Sequence, residues 1–251
     1  MKKVIKLLII ALFWILIWYF VALIVNMPLL FPTPWVVIKK IGQLMLTGDY
    51  YVVVLSSIGR ILSGILIAIF MAAVLALISS FSNTVYEFLT PLISVIKSTP
   101  IVAFIFIVNL YLDNEYVVIF MCFLMVFPIV FLNIYQGIKS TDKDLIEMCN
   151  LYNIPLKRRL ISLYLPSVVP YFLSSLLSSI GLAWKAGIAA EVLCPPDTSI
   201  GIKIFSAQQN IEGIDLFAWV ISIIVLNLLF EFIVTKLIKY IVKKKQIETG
   251  I

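Results

Sequence analysis

The chain has 251 residues, of which 63% are hydrophobic and 13% are charged, and its mean hydropathy is +1.13. These values exclude an ordinary soluble globular protein and are typical of an integral membrane protein. The formal net charge of +6 does not indicate nucleic-acid binding, because the basic residues cluster at the ends of apolar segments. The chain has no histidine, and its three cysteines lack metal-ligand spacing, so the sequence predicts neither a metal site nor a disulfide.

Apolar length predicts six membrane spans, since a helix needs about 20 mostly apolar residues to cross a bilayer. The first apolar run follows a basic start, but it is too long for a signal peptide and no A-x-A site follows, so we interpret it as an uncleaved span. The predicted spans are 7–25, about 52–80, 88–112, 116–137, 167–193 and 215–238. We expect an all-α protein with one membrane domain over residues 1–251.

The basic residues predict the orientation in the membrane, because Lys and Arg near span ends are retained on the cytoplasmic side. With both termini in the cytoplasm, 13 of the 19 basic residues lie inside. We therefore expect a multi-pass protein with cytoplasmic termini. The polar segment at about 138–166, between the fourth and fifth predicted spans, then also lies in the cytoplasm.

This polar segment reads as a helix, a turn and a second short helix. Thr141 and Asp142 are candidate N-caps, and acidic residues follow in the first turns. Asn153 tolerates the left-handed conformation that ends many helices, and Pro155 suits the first turn of the next helix. An apolar ridge for a soluble partner is predicted at Ile146, Leu151, Tyr152, Ile154 and Leu156.

The stretch "EMCNLYNIPLKRRLISLYLP" resembles the cytoplasmic EAA loop of ABC-importer permeases. That loop reads E-A-A, three residues, Gly, nine residues, Ile, any residue, Leu-Pro. The matching positions are Glu147, Met148 and Cys149, Asn153, Leu163, Leu165 and Pro166. Both alanines and the glycine are replaced, although Cys and Asn keep a small side chain and tolerance of the turn.

Other stretches resemble the nitrate, sulfonate and taurine branch of the same family. Ser57, Arg60 and Gly64 match its Ser-Leu-x-Arg-x-x-x-Gly pattern, with Ile58 in place of the Leu. "PLISVIKSTPIVAF" resembles the third span of that branch, "GLAWKAGIAAEVL" the end of its fifth span, and "TSIGIKIFSAQQN" the element before its sixth. The resemblance covers nearly the whole chain in order and implies a type I ABC-importer permease fold with six spans and a cytoplasmic coupling helix.

The resemblance implies a transport subunit rather than an enzyme, and the sequence has no G-x-x-x-x-G-K-[ST] loop. It implies a homodimer bound to two P-loop ABC ATPase subunits, which carry ATP and Mg²⁺. An external solute-binding protein, a lipoprotein or a periplasmic protein, would deliver solute on the other face of the bacterial cell membrane. The implied ATPase-coupling residues are Glu147, Cys149, Asn153, Ile154, Pro155, Leu163, Leu165 and Pro166.

The basic trio Lys157, Arg158 and Arg159 has two interpretations. The three side chains pair with acidic groups on the ATPase, or they hold the loop at an anionic lipid surface, where each basic residue contributes about 1 kcal/mol.

Polar residues inside spans predict the pathway, because such groups usually face the protein interior or a water-filled cavity. Lys97 and Lys185 are candidates; Lys185 accepts an anionic solute, or it satisfies helix carbonyls and a carboxylate of a neighbouring span. Glu191 is placed at a gate or at a contact with the binding protein. Ser175 and Ser179 belong to a small-residue stripe that either packs or offers hydroxyls to a solute.

The second span carries its own stripe of small residues, from Gly64 to Ser80, for which close packing inside the subunit is expected. Arg60, one turn before this stripe, is expected to reach the outer surface or to pair with an acidic group such as Asp49.

The substrate is weakly specified by the sequence. The cations Arg60, Lys97 and Lys185 favour an anion such as a sulfonate or nitrate, whereas the resemblance equally allows a vitamin precursor, a pyrimidine or a flavin. A gradient-driven transporter often shows two similar halves, and no internal repeat is visible. A membrane sensor of the same fold remains an alternative. A membrane enzyme is disfavoured, because a nucleophile with a histidine base or a pair of intramembrane carboxylates is missing.

Overall fold

The computed structural model describes residues 2–249, with side chains for residues 5–6 and 9–238. Within these residues there is no β-strand, so the prediction of an all-α fold is confirmed. The helices in chain order are α1 Lys2–Val25, α2 Pro34–Met45, α3 Gly48–Phe81, α4 Asn83–Ser98, α5 Ile101–Asn109, α6 Asn114–Lys139, α7 Lys143–Leu151, α8 Leu156–Arg159, α9 Leu165–Leu193, α10 Ile200–Gln209 and α11 Gly213–Thr249. A π-helical turn, Leu160–Tyr164, joins α8 to α9.

Four helical stretches of the described chain are long and apolar enough to cross a membrane. They are α3, α6, the stretch Leu156–Leu193 and the part Gly213–Ile238 of α11. A fifth span results if α4 and α5 are taken as one broken element. The apolar part of α1 over 9–25 is shorter, and the side chains of residues 7 and 8 are outside the described set. Six spans therefore stay a prediction, of which four or five are shown.

The centre of the molecule is α6, which packs against α3 on one side and α9 on the other. A methyl group on Gly64 of α3 would overlap the carbonyl of Ile119, and one on Gly187 of α9 would overlap Ile61 and Cys122. Small residues thus let the three backbones approach closely. The rest of the α3 stripe, up to Ser80, is also buried, so the packing interpretation of that stripe is confirmed.

The predicted span 88–112 is broken more sharply than its sequence suggested. The axes of α4 and α5 differ by 104°. Pro100 lacks an N–H donor and restricts the preceding residue, and Thr99 accordingly adopts an extended conformation with φ −83° and ψ 133°. The helix cannot continue through this pair, and α5 has only nine residues, which is too few to cross a bilayer.

The short helix α10 rests on the end of α9. Ser199 caps it, because its Oγ accepts a hydrogen bond from the backbone N–H of Ile202 at 3.0 Å. A side chain on Gly201 would overlap the backbone of Glu191, so a glycine is needed for this close approach. Two ion pairs join neighbouring helices in the same part of the chain, Lys203 to Asp49 at 2.7 Å and Lys40 to Asp215 at 2.8 Å.

The predicted second short helix of the polar segment is not a separate element. α8, the π-helical turn and α9 form one helical stretch of 38 residues, Leu156–Leu193. Within it the backbone N–H of Leu165 bonds to the carbonyl of Leu160, five residues earlier. Pro166 has no N–H to donate, and a π-helical turn just before it lets the helix absorb the missing hydrogen bond.

Candidate functional site

The helix α7 begins where the sequence predicted it. Asp142 is its N-cap, with the carboxylate oxygen Oδ1 accepting a hydrogen bond from the backbone N–H of Asp144 at 2.9 Å. An acidic residue in the first turn also interacts favourably with the helix dipole. Of the two predicted coupling residues on α7, Glu147 is exposed and Cys149 is buried.

Large apolar side chains at the end of α7 and just after it remain uncovered. Leu151 is 81% exposed, Tyr152 is 75% exposed and Leu156 is 58% exposed. Ile146 and Ile154, the other members of the predicted ridge, are half-buried. Burying such side chains against a partner is favourable by about 25 cal/mol per Å² of apolar surface. The ridge therefore has the character of an uncovered contact surface.

The chain turns sharply between α7 and α8. Asn153 has φ of +48°, in the left-handed region, as its sequence position predicted. The backbone N–H of Ile154 then bonds back to the carbonyl of Cys149 at 3.0 Å, which satisfies one of the free carbonyls at the end of α7. Pro155 precedes the first residue of α8 and starts the long helix. We call residues 149–159 the elbow.

A single guanidinium closes the elbow. Arg159 donates from Nε to the carbonyl of Ile154 at 2.6 Å and from Nη2 to the carbonyl of Cys149 at 2.9 Å. Its Nη1 donates to the side-chain oxygen of Asn150. The first turn of the long helix is thus tied to the last turn of α7 by three hydrogen bonds from one planar group.

The sequence interpretation missed this role, because it treated the three basic residues of the segment alike. Lys157 and Arg158 are exposed, as either interpretation of the trio requires, but Arg159 is used inside the chain. The available signal was an arginine within reach of a helix end whose carbonyls lacked partners.

The remaining predicted coupling residues lie along the start of the long helix. Leu163 is half-buried in the π-helical turn, and Leu165 and Pro166 are exposed at the first positions of α9. Contact of these residues with an ATPase stays a prediction.

The opposite end of α9 carries a buried carboxylate. Glu191 is 0% exposed, and its Oε2 accepts hydrogen bonds from Ser57 Oγ at 2.8 Å and from the backbone N–H of Gly201 at 3.2 Å. Arg60 Nη1 lies 3.4 Å from Oε1 of the same carboxylate. A buried charge is tolerated only when it is paired and hydrogen-bonded in this way.

Arg60 and Ser57 extend this arrangement to two further helices. Arg60 Nη1 donates to the carbonyl of Thr198 at 2.9 Å, and its Nη2 pairs with Glu115 of α6 at 3.2 Å. Ser57 Oγ also accepts a hydrogen bond from the backbone N–H of Ile200, the first residue of α10, at 2.9 Å. The side chains of Ser57, Arg60, Glu115 and Glu191, which we call the Glu191 cluster, thus hold α3, α6, α9 and α10 together.

Two expectations change at this point. Arg60 pairs with acidic groups, as predicted, but these are Glu115 and Glu191 and not the suggested Asp49, which pairs with Lys203. Glu191 itself is enclosed, so a direct contact of its carboxylate with an external protein finds no support in the structure. Arg60 and Glu191 are 131 positions apart, and the sequence of one chain does not reveal that they meet.

The predicted pathway serines lie within helix packing. Ser175 and Ser179 are both 0% exposed. Their hydroxyls donate to carbonyls of their own helix, those of Phe172 at 2.7 Å and Leu176 at 3.3 Å. The packing interpretation of this stripe fits their burial, and a role in solute contact stays a prediction without support from the geometry.

The two predicted pathway lysines are exposed. Lys97 lies in the last turn of α4, where its charge is favourable to the helix dipole. Lys185 lies on α9 and lines a cleft between α9 and α11. The structure brings neither of them to the Glu191 cluster, so the predicted site residues lie in separate places: on and after α7, around Glu191, along α9 and, for Lys97, at the end of α4.

Comparison with known proteins agrees with this architecture. A family model described as "Binding-protein-dependent transport system inner membrane component" matches residues 64–244. The putative aliphatic sulfonates transport permease protein SsuC of Bacillus subtilis is 24% identical over 214 residues, which is 84% of this chain and 77% of that protein.

Two further relatives have similar identity. The bicarbonate transport system permease protein CmpB of Synechococcus elongatus is 24% identical over 190 residues, 75% of this chain and 68% of that protein. The nitrate import permease protein NrtB of Leptolyngbya laminosa is 24% identical over 188 residues, 73% of this chain and 67% of that protein. Because the family model matches most of its length, the chain belongs to the family of binding-protein-dependent transport system inner membrane components.

Proposed function

We propose that this chain is the permease subunit of an ATP-driven importer of a small anion in the bacterial cell membrane, with both termini in the cytoplasm. Two copies form the pathway, two P-loop ATPase subunits bind at the α7 side and hydrolyse ATP with Mg²⁺, and an external binding protein delivers the solute. The observation that carries this proposal is the elbow. It joins an exposed apolar ridge directly to a helical stretch that is long and apolar enough to cross a membrane.

The elbow gives a physical route for coupling. An ATPase subunit that buries Leu151 and Tyr152 would hold α7 through apolar contact. When two ATPase subunits close on ATP, they move the two copies of α7 together. Because Arg159 ties α7 to the first turn of the long helix, this movement is passed to α9. Closure opens the pathway outward for loading, and hydrolysis returns it inward.

A homodimer is supported by the surface of the long helices. In the single chain, the apolar stretches of α9 and α11 bury fully only a small share of their residues. α3 and α6, by contrast, carry a larger buried share. A second copy beside α9 would cover part of this exposed surface, in a closed two-fold arrangement that is common among homo-oligomers.

An anionic solute is favoured by two independent observations. Three relatives carry names that assign them aliphatic sulfonates, bicarbonate and nitrate. Lys185 adds a positive charge within a span of this chain, exposed in a cleft. A vitamin precursor, pyrimidine or flavin has no comparable support from the cleft, whose charged lining residue is a lysine.

The test is capture of partners from the native membrane in mild detergent, with a tagged full chain and mass spectrometry. We expect a P-loop ATPase and an external binding protein with the wild type. Tyr152→Asp should lose the ATPase because it places a charge on the apolar ridge. The matched control is Tyr111→Asp, another exposed tyrosine, which lies between α5 and α6 and should retain the ATPase.

The outcomes separate the function classes. Capture of a dimer without ATPase would overturn the importer proposal and favour a gradient-driven transporter or a membrane sensor. Capture of the ATPase by both tyrosine variants would leave the importer but remove α7 as its docking element. Glu147→Ala together with Ile154→Asp provides a second variant, in which loss of uptake with an intact dimer is expected.

A further inference from the structure

The cleft between α9 and α11 has polar side chains in an otherwise apolar lining. Its volume is about 540 Å³. The polar side chains in its lining are Lys185, Asn227 and the indole of Trp184, and the rest is apolar, formed by Ile188, Ala189, Val192, Leu193, Ile223, Ile224 and Leu228. A charged and an amide side chain thus face one apolar space.

The cleft lies deep in the membrane-spanning part. Asn227 is near the middle of the apolar stretch Gly213–Ile238 of α11, about 20 Å from its start at 1.5 Å per residue. Lys185 lines the same cleft. Lys185 is eight residues before Leu193, the last residue of α9, or about 12 Å at 1.5 Å per residue, so its side chain starts within the apolar stretch. The ammonium group therefore needs water or an anion at that depth.

Several polar atoms at the cleft have no partner. Asn227 Oδ1 and Trp184 Nε1 are buried without a hydrogen bond. Among the side chains that the structure describes, no carboxylate lies within 4.0 Å of the Lys185 ammonium. Glu231, one turn beyond Asn227 on α11, is exposed and outside that distance as well. The donor Trp184 Nε1 and the Lys185 ammonium both require an acceptor such as an anion, whereas Asn227 Oδ1 is itself an acceptor, so only the NH₂ group of that amide can bind an anion.

We propose that Lys185 and Asn227 form a binding subsite for a small oxyanion that carries an apolar group, such as an alkanesulfonate, within the transport pathway. Lys185 supplies the charge, and the Asn227 amide supplies a hydrogen-bond donor to an anionic oxygen. The apolar lining, represented by Ile188 and Ile224, covers the carbon chain of the ligand. This subsite rests on the proposed function, since an importer supplies the pathway that the ligand follows.

The proposal predicts a water-accessible cleft that attracts anions. The reporter is Asn227→Cys in the full chain in lipid nanodiscs, labelled in turn with anionic sulfonatoethyl and cationic trimethylammonioethyl methanethiosulfonate. Intact-mass measurement gives both rates. We expect the anionic reagent to react about tenfold faster than the cationic one, because a unit charge a few ångströms away attracts one and repels the other. Ile224→Cys is a second reporter on the same lining, in case Asn227 is needed for folding.

The next variants test whether the charge at position 185 causes the faster reaction with the anionic reagent. Lys185→Met should remove most of the difference between the two reagents, and Lys185→Arg should keep it. Lys236→Met removes a lysine near the end of the apolar stretch Gly213–Ile238 of α11, and it should leave the ratio of the two labelling rates unchanged. Methanesulfonate added in excess should slow labelling by the anionic reagent in chains with a lysine or an arginine at position 185, and it should have no effect in Lys185→Met.

The native cysteines give a low background. Cys122, Cys149 and Cys194 are all buried, and burial raises the pKa of the Cys194 thiol above its ordinary value, which keeps it protonated. Phe70→Cys, at an exposed apolar position of α3, is the lipid-facing control and should react with neither reagent.

Three results would overturn the subsite. They are no labelling at both reporters, equal rates for the two reagents with Lys185 present, or an unchanged ratio in Lys185→Met. Equal rates would indicate that a carboxylate of a second copy neutralises the lysine, and an unchanged ratio in Lys185→Met would mean that another group produces the preference. Labelling requires no ATP and no ATPase, so its failure leaves the partner-capture result standing, and the reverse also holds.

Discussion

The two ends of α9 are fastened to neighbouring helices by different chemistry. At the elbow, Arg159 donates to backbone carbonyls and one amide oxygen, all of them uncharged acceptors in a partly exposed place. At the other end, Glu191 is fully buried and depends on Arg60 and Ser57 for its charge. Water can replace one lost hydrogen bond at the elbow, whereas removal of Arg60 or Ser57 leaves the buried carboxylate of Glu191 without a partner. The elbow can therefore yield locally, and the Glu191 cluster cannot.

The largest effect is expected when the arginine of the Glu191 cluster is removed. Arg60→Met leaves the carboxylate of Glu191 without its counter-charge, and we expect a loss of about 3–5 kcal/mol in the free energy of unfolding. Thermal unfolding of the purified chain in detergent measures this. The double variant Arg60→Met with Glu191→Gln should recover much of the loss, since neither charge is then buried.

A matched control for that comparison is Lys203→Met. Lys203 is also paired with an aspartate, Asp49, but both side chains are partly exposed. We expect a change below about 1 kcal/mol. Equal destabilisation by Arg60→Met and Lys203→Met would contradict the claim that the buried carboxylate of Glu191 depends on Arg60 more than an exposed ion pair depends on its partner.

A smaller loss is expected from Ser57→Ala. Ser57 donates to the buried carboxylate and accepts from the N–H of Ile200, so its removal takes away one charge-assisted hydrogen bond and one cap contact of α10. The expected cost is about 2 kcal/mol. Hydrogen exchange at the first amides of α10 should quicken more than exchange in the middle of α6. Uniform quickening in both helices would mean that Ser57 supports the whole bundle.

At the elbow, Arg159→Lys should destabilise locally by about 1–2 kcal/mol. A lysine keeps the charge but cannot donate from three nitrogens of one plane. Hydrogen exchange at the Ile154 amide should quicken, while the unfolding temperature changes little. Arg158→Lys, at the exposed neighbouring position, is the control and should leave exchange unchanged. In the importer, Arg159→Lys should lower uptake per ATP hydrolysed without releasing the ATPase.

The smallest change is expected at the start of α7. Asp142→Ala removes the side chain that accepts a hydrogen bond from the Asp144 N–H, and this loss costs about 0.5–1 kcal/mol of local helix stability. Exchange of the first α7 amides reports it. Asp142→Asn should be nearly neutral, because asparagine caps as well as aspartate. An effect as large as that of Arg60→Met would contradict a purely local role for this cap.

Local features of the chain were predictable and long-range pairings were not. Apolar length located four of the six predicted spans, or five with the broken one, because crossing a bilayer depends on length and composition. Asn153 was assigned its left-handed turn because few residue types tolerate one. The partner of Glu191 required knowing that α3 and α9 meet, and nothing within one sequence says so. The 104° bend at Pro100 was visible as a break but not as an angle.

The candidate site followed the same division. The apolar ridge was readable from spacing, whereas Arg159 was grouped with its exposed neighbours because sequence gives no direction for a side chain near a turn. Lys185 was recognised as unusual from its place in an apolar stretch, but Asn227 was overlooked, since a lone asparagine on a long helix has no distinguishing pattern until the facing helix is known.

The 38-residue stretch Leu156–Leu193 has the length to serve as a lever. At 1.5 Å per residue it is about 57 Å long, nearly twice the thickness of the hydrocarbon core. If it pivots near its middle, each degree of tilt moves either tip by about 0.5 Å in opposite directions. A tilt of only a few degrees at the elbow would then shift the Glu191 end by more than an ångström. The Glu191 cluster would carry that shift to α10, which rests on this tip of the lever.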